Sequence, residues 1–374
     1  MEERLLMVPG PTNLSKSVRD VLSQPQIGHT DPDFVKNFSE TPVLARRVFR
    51  NNNGYQFVFT GTGTVGMEAA VASIVDPGDK VLVVNTGYFG QRMTEVNRCY
   101  GAQVEELATG FGLHADPEAV RKALSAGGFK ALYVTHVDTG TTVCNPIADI
   151  VKEAKSAGAL AVVDGVCSVG GIELDFDRLG ADLVFTGSQK ALAAPPGAVL
   201  IAASQGLLAQ LEARKDRVRT YYANLLRWKA VMDDPRTYFA TPAVQLMQAL
   251  NQALKEVEAE GLEKRWTRHK TNAKIIRDGV ESAGNKLVVE QGYRSDTVTG
   301  IWTDPGSAPT IQESLRRQYG IDVARGLGEN NSKMIRVGHF GNLTDKQAKY
   351  FAESYSHAAK ASRYAGRPVV QNRS

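Results

Sequence analysis

The sequence is poor in cysteine and has no long apolar run, and these scarcities exclude several classes of protein. Its 374 residues contain three cysteines, Cys99, Cys144 and Cys167, whose odd number and unrelated spacings predict reduced thiols, not a disulfide framework or a zinc site. No stretch approaches the roughly 18 uncharged apolar residues of a membrane-spanning helix. The opening residues, MEERLLMVPGP, are acidic where a signal peptide is basic, and the final QNRS is not a peroxisomal address. We therefore expect a cytoplasmic protein with no metal and no membrane contact.

A strong excess of charge of one sign is also missing. The sequence has 44 Lys and Arg against 40 Asp and Glu, which leaves a formal net charge of +4. The basic run RKDRVR at residues 214–219 fits a solvated helix face better than a nucleic-acid patch, so no nucleic-acid partner is expected. Hydrophobic residues make up 43% and charged residues 22%, as in ordinary globular proteins. A chain of this length favours two domains over one compact core.

From Gly54 onward, short runs rich in Val and Leu alternate with helical segments. This alternation predicts an α/β domain with a mainly parallel seven-stranded sheet. The strands are predicted at residues 55–60, 80–85, 103–107, 131–136, 159–164, 182–186 and 198–203. The helices between them are predicted at residues 64–75, 91–100, 117–125 and 147–157.

The rest of the chain predicts three further features of the domain organisation. Residues 1–20, with PGPTN at 9–13, predict an extended N-terminal arm, because prolines and glycine cannot form a helix interior there. Residues 21–260 are then the large domain, and residues 261–374 are a small C-terminal α+β domain. A helical stretch from 242 to about 283, interrupted by Gly261, is expected to join them, and residues 228–240 are expected to be irregular.

Two neighbouring predicted strands end in polar groups that suit one cofactor. Asp164 ends the first strand, and Gln189 and Lys190 follow the second. In an open parallel sheet such strand ends face the ligand crevice. An Asp can keep a basic ring nitrogen protonated, while a Lys can form a Schiff base with an aldehyde. A buried ion pair, or two unrelated loop residues, would explain these positions equally well when they are taken alone.

The run GTGTVG at residues 61–66 follows the first strand of the sheet and opens a helix. Backbone N–H groups at such a helix N-terminus, together with two hydroxyls, form a phosphate site. The run also matches a dinucleotide fingerprint, which would make the protein an NAD-dependent oxidoreductase. That interpretation requires an acid near the end of the next strand, where the sequence has Asn85. A bare strand-to-helix turn is the third interpretation.

Three further features bear on the same crevice. Phe89 follows the second strand, where an aromatic ring can stack on a planar cofactor or simply cover the core. The run HVDTGTT at residues 136–142 follows the fourth strand and brings hydroxyls and a carboxylate, although a capped turn would need the same residues. Arg336 lies inside an apolar strand, so it must either pair with an internal carboxylate or bind an anionic substrate.

With these residues in place, the chain resembles a class V aminotransferase of fold type I, a family dependent on pyridoxal 5'-phosphate. The resemblance is to the branch of alanine–glyoxylate and serine–glyoxylate (or serine–pyruvate) aminotransferases. It extends from PGPTN at residues 9–13 to RVG at 336–338, and its most specific element is GSQKAL at 187–192 with PPG at 195–197. The fold implied is a large domain with the predicted sheet and a smaller C-terminal domain.

The resemblance implies a cofactor role for a set of residues. Lys190 would hold the cofactor covalently and Asp164 would hold its ring nitrogen. Val166 and Phe89 would pack on the two ring faces, and Thr139 would lie beside the ring. The phosphate would be bound by Thr62, Gly63, Thr64 and Gln189.

The resemblance also implies substrate and partner roles. Arg336 would bind the substrate carboxylate, and Gly10 of the arm would lie in the substrate site. Tyr238 and Thr241 match positions that complete the phosphate site of the partner subunit, so a homodimer is expected. The run HVDTGTT departs from the more usual Glu-Ser/Thr-Ser-Thr-Gly run, which blurs the alignment around Thr139.

The implied activity is transamination between a small amino acid, alanine or serine, and a small 2-oxo acid, glyoxylate or pyruvate. 2-Aminoethylphosphonate–pyruvate transamination, or another class V activity, is the alternative within the family. An NAD-dependent oxidoreductase is the distant alternative, and it rests on GTGTVG alone.

Overall fold

The computed structural model of the protein describes residues 4–214 and 218–365. Residues 1–3 of the predicted arm, 215–217 of the basic run and 366–374 of the predicted small domain lie outside the described residues. Within those two ranges, no helix combines the length and the apolar character that a membrane crossing requires. The same ranges contain no group of three or more His, Cys, Asp or Glu side chains that could hold a metal ion.

The strands form one large sheet and three smaller ones. In chain order they are β1 (Leu5–Leu6), β2 (Tyr55–Thr60), β3 (Lys80–Asn85), β4 (Gln103–Ala108), β5 (Phe129–Thr135), β6 (Val137–Asp138), β7 (Val143–Cys144), β8 (Leu160–Asp164), β9 (Leu183–Gly187), β10 (Ala198–Ala203), β11 (Lys286–Leu287), β12 (Val298–Trp302), β13 (Ile321–Asp322), β14 (Ala324–Arg325) and β15 (Met334–Gly338). The large sheet has seven strands in the order β2-β10-β9-β8-β5-β3-β4. Within it only β10 runs antiparallel to its neighbours, so the predicted mainly parallel seven-stranded sheet is confirmed.

The helices follow the predicted alternation with the strands of the large sheet. In chain order they are α1 (Lys16–Leu22), α2 (Pro32–Phe49), α3 (Gly63–Ile74), α4 (Tyr88–Cys99), α5 (Pro117–Leu124), α6 (Ile147–Ser156), α7 (Phe176–Leu179), α8 (Gln205–Ala213), α9 (Leu225–Asp233), α10 (Val244–Glu260), α11 (Leu262–Ser282), α12 (Ala308–Tyr319) and α13 (Asp345–Ala365). Several begin after a side-chain cap: Asp31, Asp116 and Ser204 accept backbone N–H groups from the first turns of α2, α5 and α8.

The composition of the central strands explains where the site lies. Strands β8 and β9 read LAVVD and LVFTG, and all their residues are buried, as expected for strands covered on both faces. Gly66 lets α3 approach the sheet closely, because a Cβ there would lie 2.8 Å from Cδ2 of Phe185. Strands β2, β3, β5, β8 and β9 run the same way, so their carboxyl ends meet at one edge of the sheet.

A second hydrophobic core lies beside the first, in the C-terminal part of the chain. It is formed by residues of α11, α12, α13 and β15, and Met7 of the arm is buried within it. The arm is tied to this part by β1, which pairs in parallel with β13, and by the Gly338 N–H, which donates to the Met7 carbonyl at 2.7 Å. The division into residues 1–20, 21–260 and 261–374 stays a prediction.

One local expectation between residues 228 and 283 needs revision, and the expected interruption at Gly261 is confirmed. Residues 228–240 were expected to be irregular, yet α9 continues to Asp233. The reason is tertiary: Trp228 is buried and stacks on Phe59 with ring centroids 4.4 Å apart. The stretch from 242 to 283 is divided into α10 and α11 at Gly261, whose φ of 81° ends the first helix.

Candidate active site

A cavity of about 210 Å³ lies at the edge of the sheet where the parallel strands end. Most of the residues predicted to bind the cofactor line it. The lining consists of Thr62, Gly63, Thr64, Met67, Phe89, Arg92, Val137, Asp164, Val166, Cys167, Gln189 and Lys190. These residues come from the segments after β2, β3, β5, β8 and β9, so the sheet brings together parts of the chain that are far apart in sequence.

One end of the cavity has the chemistry of an anion site. Thr62 is the N-cap of α3, yet its side chain makes no cap hydrogen bond to the helix. Gln189 also lines the cavity, and its side-chain NH2 is a hydrogen-bond donor. Helix N-termini carry unsatisfied N–H groups and a partial positive charge, which favour a phosphate. A Cβ on Gly63 would lie 3.0 Å from Cγ2 of Val166, so a larger residue would narrow the cavity there.

The Asp164 carboxylate is buried at the end of β8 without a cation to balance it. Its Oδ1 accepts the Val166 N–H at 2.9 Å, and no Lys, Arg or His of the described chain lies within ion-pair distance. The pKa of this carboxyl is raised to about 7, mainly by burial and also by the charge of Asp138, against the opposing effects of the Val166 N–H, Lys190 and Arg92. A buried acid of this kind suits a ligand that brings a protonated nitrogen.

Lys190 lies in the loop after β9 and is largely buried. Its Nζ donates a hydrogen bond to the carbonyl of Pro9, in the N-terminal arm. Gly10 has a φ of 93°, and a Cβ there would lie 2.6 Å from Nζ of Lys190. The arm can therefore lie directly against the lysine only because residue 10 has no side chain.

Phe89 and Arg92 form one side of the cavity, on the first turns of α4. The Arg92 guanidinium lies 4.9 Å from the centre of the Phe89 ring, and its Nη1 lies 3.4 Å from Oγ1 of Thr64. Arg92 has no carboxylate within ion-pair distance in the described chain, so a cation faces the anion site. It was not predicted, although its spacing of three residues from Phe89 on a helix was a usable signal.

Arg336 lies on β15 and is 8% exposed. Its Nε donates to the Arg325 carbonyl and its Nη1 to the Thr139 carbonyl, both at 2.8 Å. Within the described ranges no carboxylate lies within ion-pair distance, so the internal ion pair considered for Arg336 is not formed. Burial lowers the pKa of the guanidinium, and Asp138 opposes that shift.

The remaining predicted residues lie outside the cavity lining. Thr139 is buried and contacts Arg336 through its carbonyl oxygen. Tyr238 is 42% exposed and its ring lies 4.2 Å from that of His29, while Thr241 is also exposed. Neither Tyr238 nor Thr241 reaches the cavity of its own chain.

Sequence reasoning also missed the apolar part of the lining. Met67, Val137 and Cys167 lie between the predicted residues. Burial raises the pKa of the Cys167 thiol to about 11, so this group is a neutral wall of the cavity at neutral pH.

Comparisons with known proteins agree with the geometry. The family Aminotransferase class-V matches residues 14–344 of the chain. The chain is 36% identical to an uncharacterized aminotransferase of Methanocaldococcus jannaschii, over 92% of this chain and 90% of the relative. It is 34% identical to alanine–glyoxylate aminotransferase 1 of Saccharomyces cerevisiae, over 90% of this chain and 91% of the relative. The crystal structure of ureidoglycine–glyoxylate aminotransferase from Bacillus subtilis superposes with a TM-score of 0.93 at 27% identity, covering 99% of this chain and 96% of that one.

The fold is thus that of a pyridoxal-phosphate-dependent aminotransferase, an enzyme. The chain belongs to the class V aminotransferase family, and the predicted resemblance and fold class are confirmed. The family implies pyridoxal 5'-phosphate, and the residues present fit it: a hydroxyl-lined helix N-terminus, a buried acid without a cation, and a lysine. The dinucleotide interpretation of GTGTVG receives no support from these relatives.

The raised pKa of Asp164 predicts how the cofactor-free protein responds to pH. The folded protein holds the Asp164 proton up to about pH 7, whereas an unfolded aspartate releases it near pH 3.9. Since the folded state binds the proton more tightly, wild-type stability falls between about pH 4 and about pH 7, and Asp164→Asn escapes that loss. The melting temperature of cofactor-free Asp164→Asn should therefore rise relative to wild type between about pH 5 and about pH 8. If the melting temperatures of Asp164→Asn and wild type differ by the same amount at about pH 5 and about pH 8, the raised pKa does not belong to Asp164.

Asp182 supplies a matched control for this experiment. It directly precedes β9, the strand next to β8, is also buried, and pairs with Nζ of Lys155 at 2.7 Å. Because Asp182 already has a cation, Asp182→Asn should destabilise the protein at both pH values.

Proposed function

We propose that this protein catalyses transamination between a small amino acid, alanine or serine, and a small 2-oxo acid, glyoxylate or pyruvate, with pyridoxal 5'-phosphate. The observation that carries the proposal is the unbalanced Asp164 carboxylate in the same cavity as Lys190. When bound, the cofactor supplies an aldehyde for the amino group and a protonated ring that accepts electron density from the substrate α-carbon. The chain supplies binding, orientation and proton transfer.

The cofactor phosphate would be bound by Thr62, Gly63, Thr64 and Gln189. Thr62, whose hydroxyl makes no cap hydrogen bond to α3, and Gln189 both line the cavity in support of this role, and the Gln189 amide NH2 would be the donor to the phosphate. Val166 and Phe89 would enclose the ring, with Thr139 beside it. Asp164 would hold the proton on the ring nitrogen, which removes the cost of its own buried charge.

Lys190 would be the catalytic base. Once an amino acid has displaced it from the cofactor, its Nζ would take the α-proton from the substrate and hold it for return. The Pro9 carbonyl, which accepts a hydrogen bond from Nζ, is placed to keep the amine in the site during this step.

Arg336 would bind the substrate carboxylate, and Gly10 would lie beside the substrate. Two of the five N–H donors of the guanidinium are used by backbone carbonyls, and neither carbonyl neutralises its charge. Gly10 lies directly against the Lys190 side chain, so the arm is close to the amine that would meet the substrate, in support of a small substrate. The yeast and Bacillus relatives share glyoxylate in their names and differ in the amino donor.

We also propose a homodimer, in which Tyr238 and Thr241 complete the phosphate site of the partner subunit. Their exposure, away from the cavity of their own chain, supports this arrangement. The cytoplasmic location expected from the sequence stays a prediction.

A panel of amino donors against glyoxylate and pyruvate tests the proposed function directly. The expected result is activity with alanine or serine as donor and none with 2-aminoethylphosphonate. Lys190→Ala should bind the cofactor noncovalently and lose at least about 10²-fold in rate, because the proton carrier is gone. Absence of activity with every donor, or an active Lys190→Ala variant, would refute the proposal.

Arg336→Lys tests the substrate anchor separately from the cofactor site. An ammonium keeps the charge but loses the two-pronged geometry, so kcat/KM for the amino acid should fall about 10-fold or more, from one charge-assisted bond of ~1.5–3 kcal/mol. The dissociation constant of the cofactor should change far less. Unchanged kinetics would reduce Arg336 to a structural role.

A further inference from the structure

Asp138, which the proposed function leaves without a role, is fully buried close to the cavity. It lies on β6, and its side chain has no exposed surface. Its Oδ2 accepts the N–H of Phe89 at 2.8 Å and that of Gly90 at 3.4 Å, while Oδ1 accepts the N–H of Gly140 at 2.7 Å. In the described part of the chain no Lys or Arg lies within ion-pair distance of it. A buried carboxylate is thus balanced by backbone N–H groups alone.

The contact with Phe89 and Gly90 is a helix cap supplied from another part of the chain. The residue at the N-cap of α4 is Gly87, which has no side chain to accept the N–H groups of the first turn. Asp138 accepts two of them instead. Since the first turn of α4 carries Phe89, the Asp138 carboxylate sets the position of the ring predicted to stack on the cofactor.

Two glycines shape the space around this carboxylate. A Cβ on Gly87 would lie 2.7 Å from Cγ of Asp138, and one on Gly140 would lie 2.9 Å from its Oδ1. Both distances are shorter than real Cβ contacts, so a side chain at either glycine would push the carboxylate away. The two glycines therefore restrict where the Asp138 carboxylate can lie. An exposed helix cap is not enclosed by its neighbours in this way.

The loop that carries Asp138 also holds the proposed substrate anchor. The carbonyl of Thr139 accepts Nη1 of Arg336 at 2.8 Å. The loop is joined to the segment before α4 by Thr141, whose Oγ1 donates to the Thr86 carbonyl at 2.9 Å. The charge of Asp138 also raises the pKa of Arg336 and so favours its cationic form.

We propose that Asp138 is the positioning residue of this site. Its carboxylate fixes the start of α4, and with it the Phe89 ring against the cofactor, and it fixes the loop whose Thr139 carbonyl orients Arg336. Asp138 does not line the cavity, so it acts through Phe89 and Thr139. This inference rests on the proposed function, because it assigns the ring and the guanidinium the roles given above.

Asp138→Asn is the variant that tests the proposal. An amide has one acceptor oxygen, so it cannot serve both the α4 N–H groups and Gly140 without turning its NH2 towards a donor. The dissociation constant for pyridoxal 5'-phosphate should rise about 10-fold or more, and KM for the amino donor should rise with it. The visible circular dichroism of the bound cofactor should change, because the stacked ring moves.

A double-mutant cycle with Phe89→Ala separates positioning from a general loss of stability. If Asp138 acts on the cofactor through the Phe89 ring, Asp138→Asn should raise the cofactor dissociation constant by less than about 3-fold in the Phe89→Ala background. The same fold-change in both backgrounds, or a lower melting temperature with unchanged cofactor binding, would overturn the proposal.

Asp116→Asn is the matched control, since Asp116 caps α5 by accepting the Glu118 N–H at 3.0 Å and lies outside the cavity lining. It should alter stability alone. If Asp138→Asn does not fold, Asp138→Ser is used in its place, because its hydroxyl keeps one acceptor oxygen near the start of α4. Its effect on the cofactor dissociation constant is then measured with and without Phe89→Ala. A wild-type protein that binds no cofactor would refute the proposed function, whereas normal wild-type activity with an additive cycle would refute the positioning role alone.

Discussion

The burial of Asp164 without a cation is the constraint on which the site depends. A carboxylate at the end of an apolar strand loses its hydration, and one backbone N–H from Val166 does not replace it. The pKa of Asp164 is accordingly raised to about 7, mainly by burial. The ionised carboxylate destabilises the cofactor-free protein, and it becomes stabilising when a protonated ring nitrogen binds beside it. The fold therefore carries a destabilising charge whose use is in cofactor chemistry.

The rest of the site is organised around that carboxylate by contacts between distant parts of the chain. The arm reaches Lys190 through the Pro9 carbonyl, and β15 reaches the loop after β5 through Arg336 and Thr139. These two contacts join the sheet edge to the C-terminal core, in which Met7 of the arm is also buried. Segments from both ends of the described chain thus contact Lys190 and the loop that carries Thr139.

Much of the fold could be predicted because its signals are local. Strands β2, β3 and β10 have the predicted bounds, since each is an apolar run ended by a turn residue or a change of polarity. Asp164 and Lys190 were predicted to share a crevice because β8 and β9 are short, buried and parallel. The class V motifs then pointed to the phosphate site, whose residues line the cavity.

The remaining features depend on tertiary contacts that no local pattern encodes. Helix α9 forms because Trp228 packs on Phe59, which is far away in the sequence. The Asp138 carboxylate could not be placed under the start of α4 without knowing how β3 and β5 lie side by side. These positions are set by the packing of loops against each other.

The central claim is that Lys190 is the residue that binds the cofactor aldehyde. Borohydride reduction of the protein loaded with pyridoxal 5'-phosphate, followed by peptide mapping, tests it in one experiment. A pyridoxyl label is expected on Lys190 alone, because it is the lysine that lines the cavity. A label on Lys130, Lys229 or any other lysine would contradict the claim and every role assigned from it.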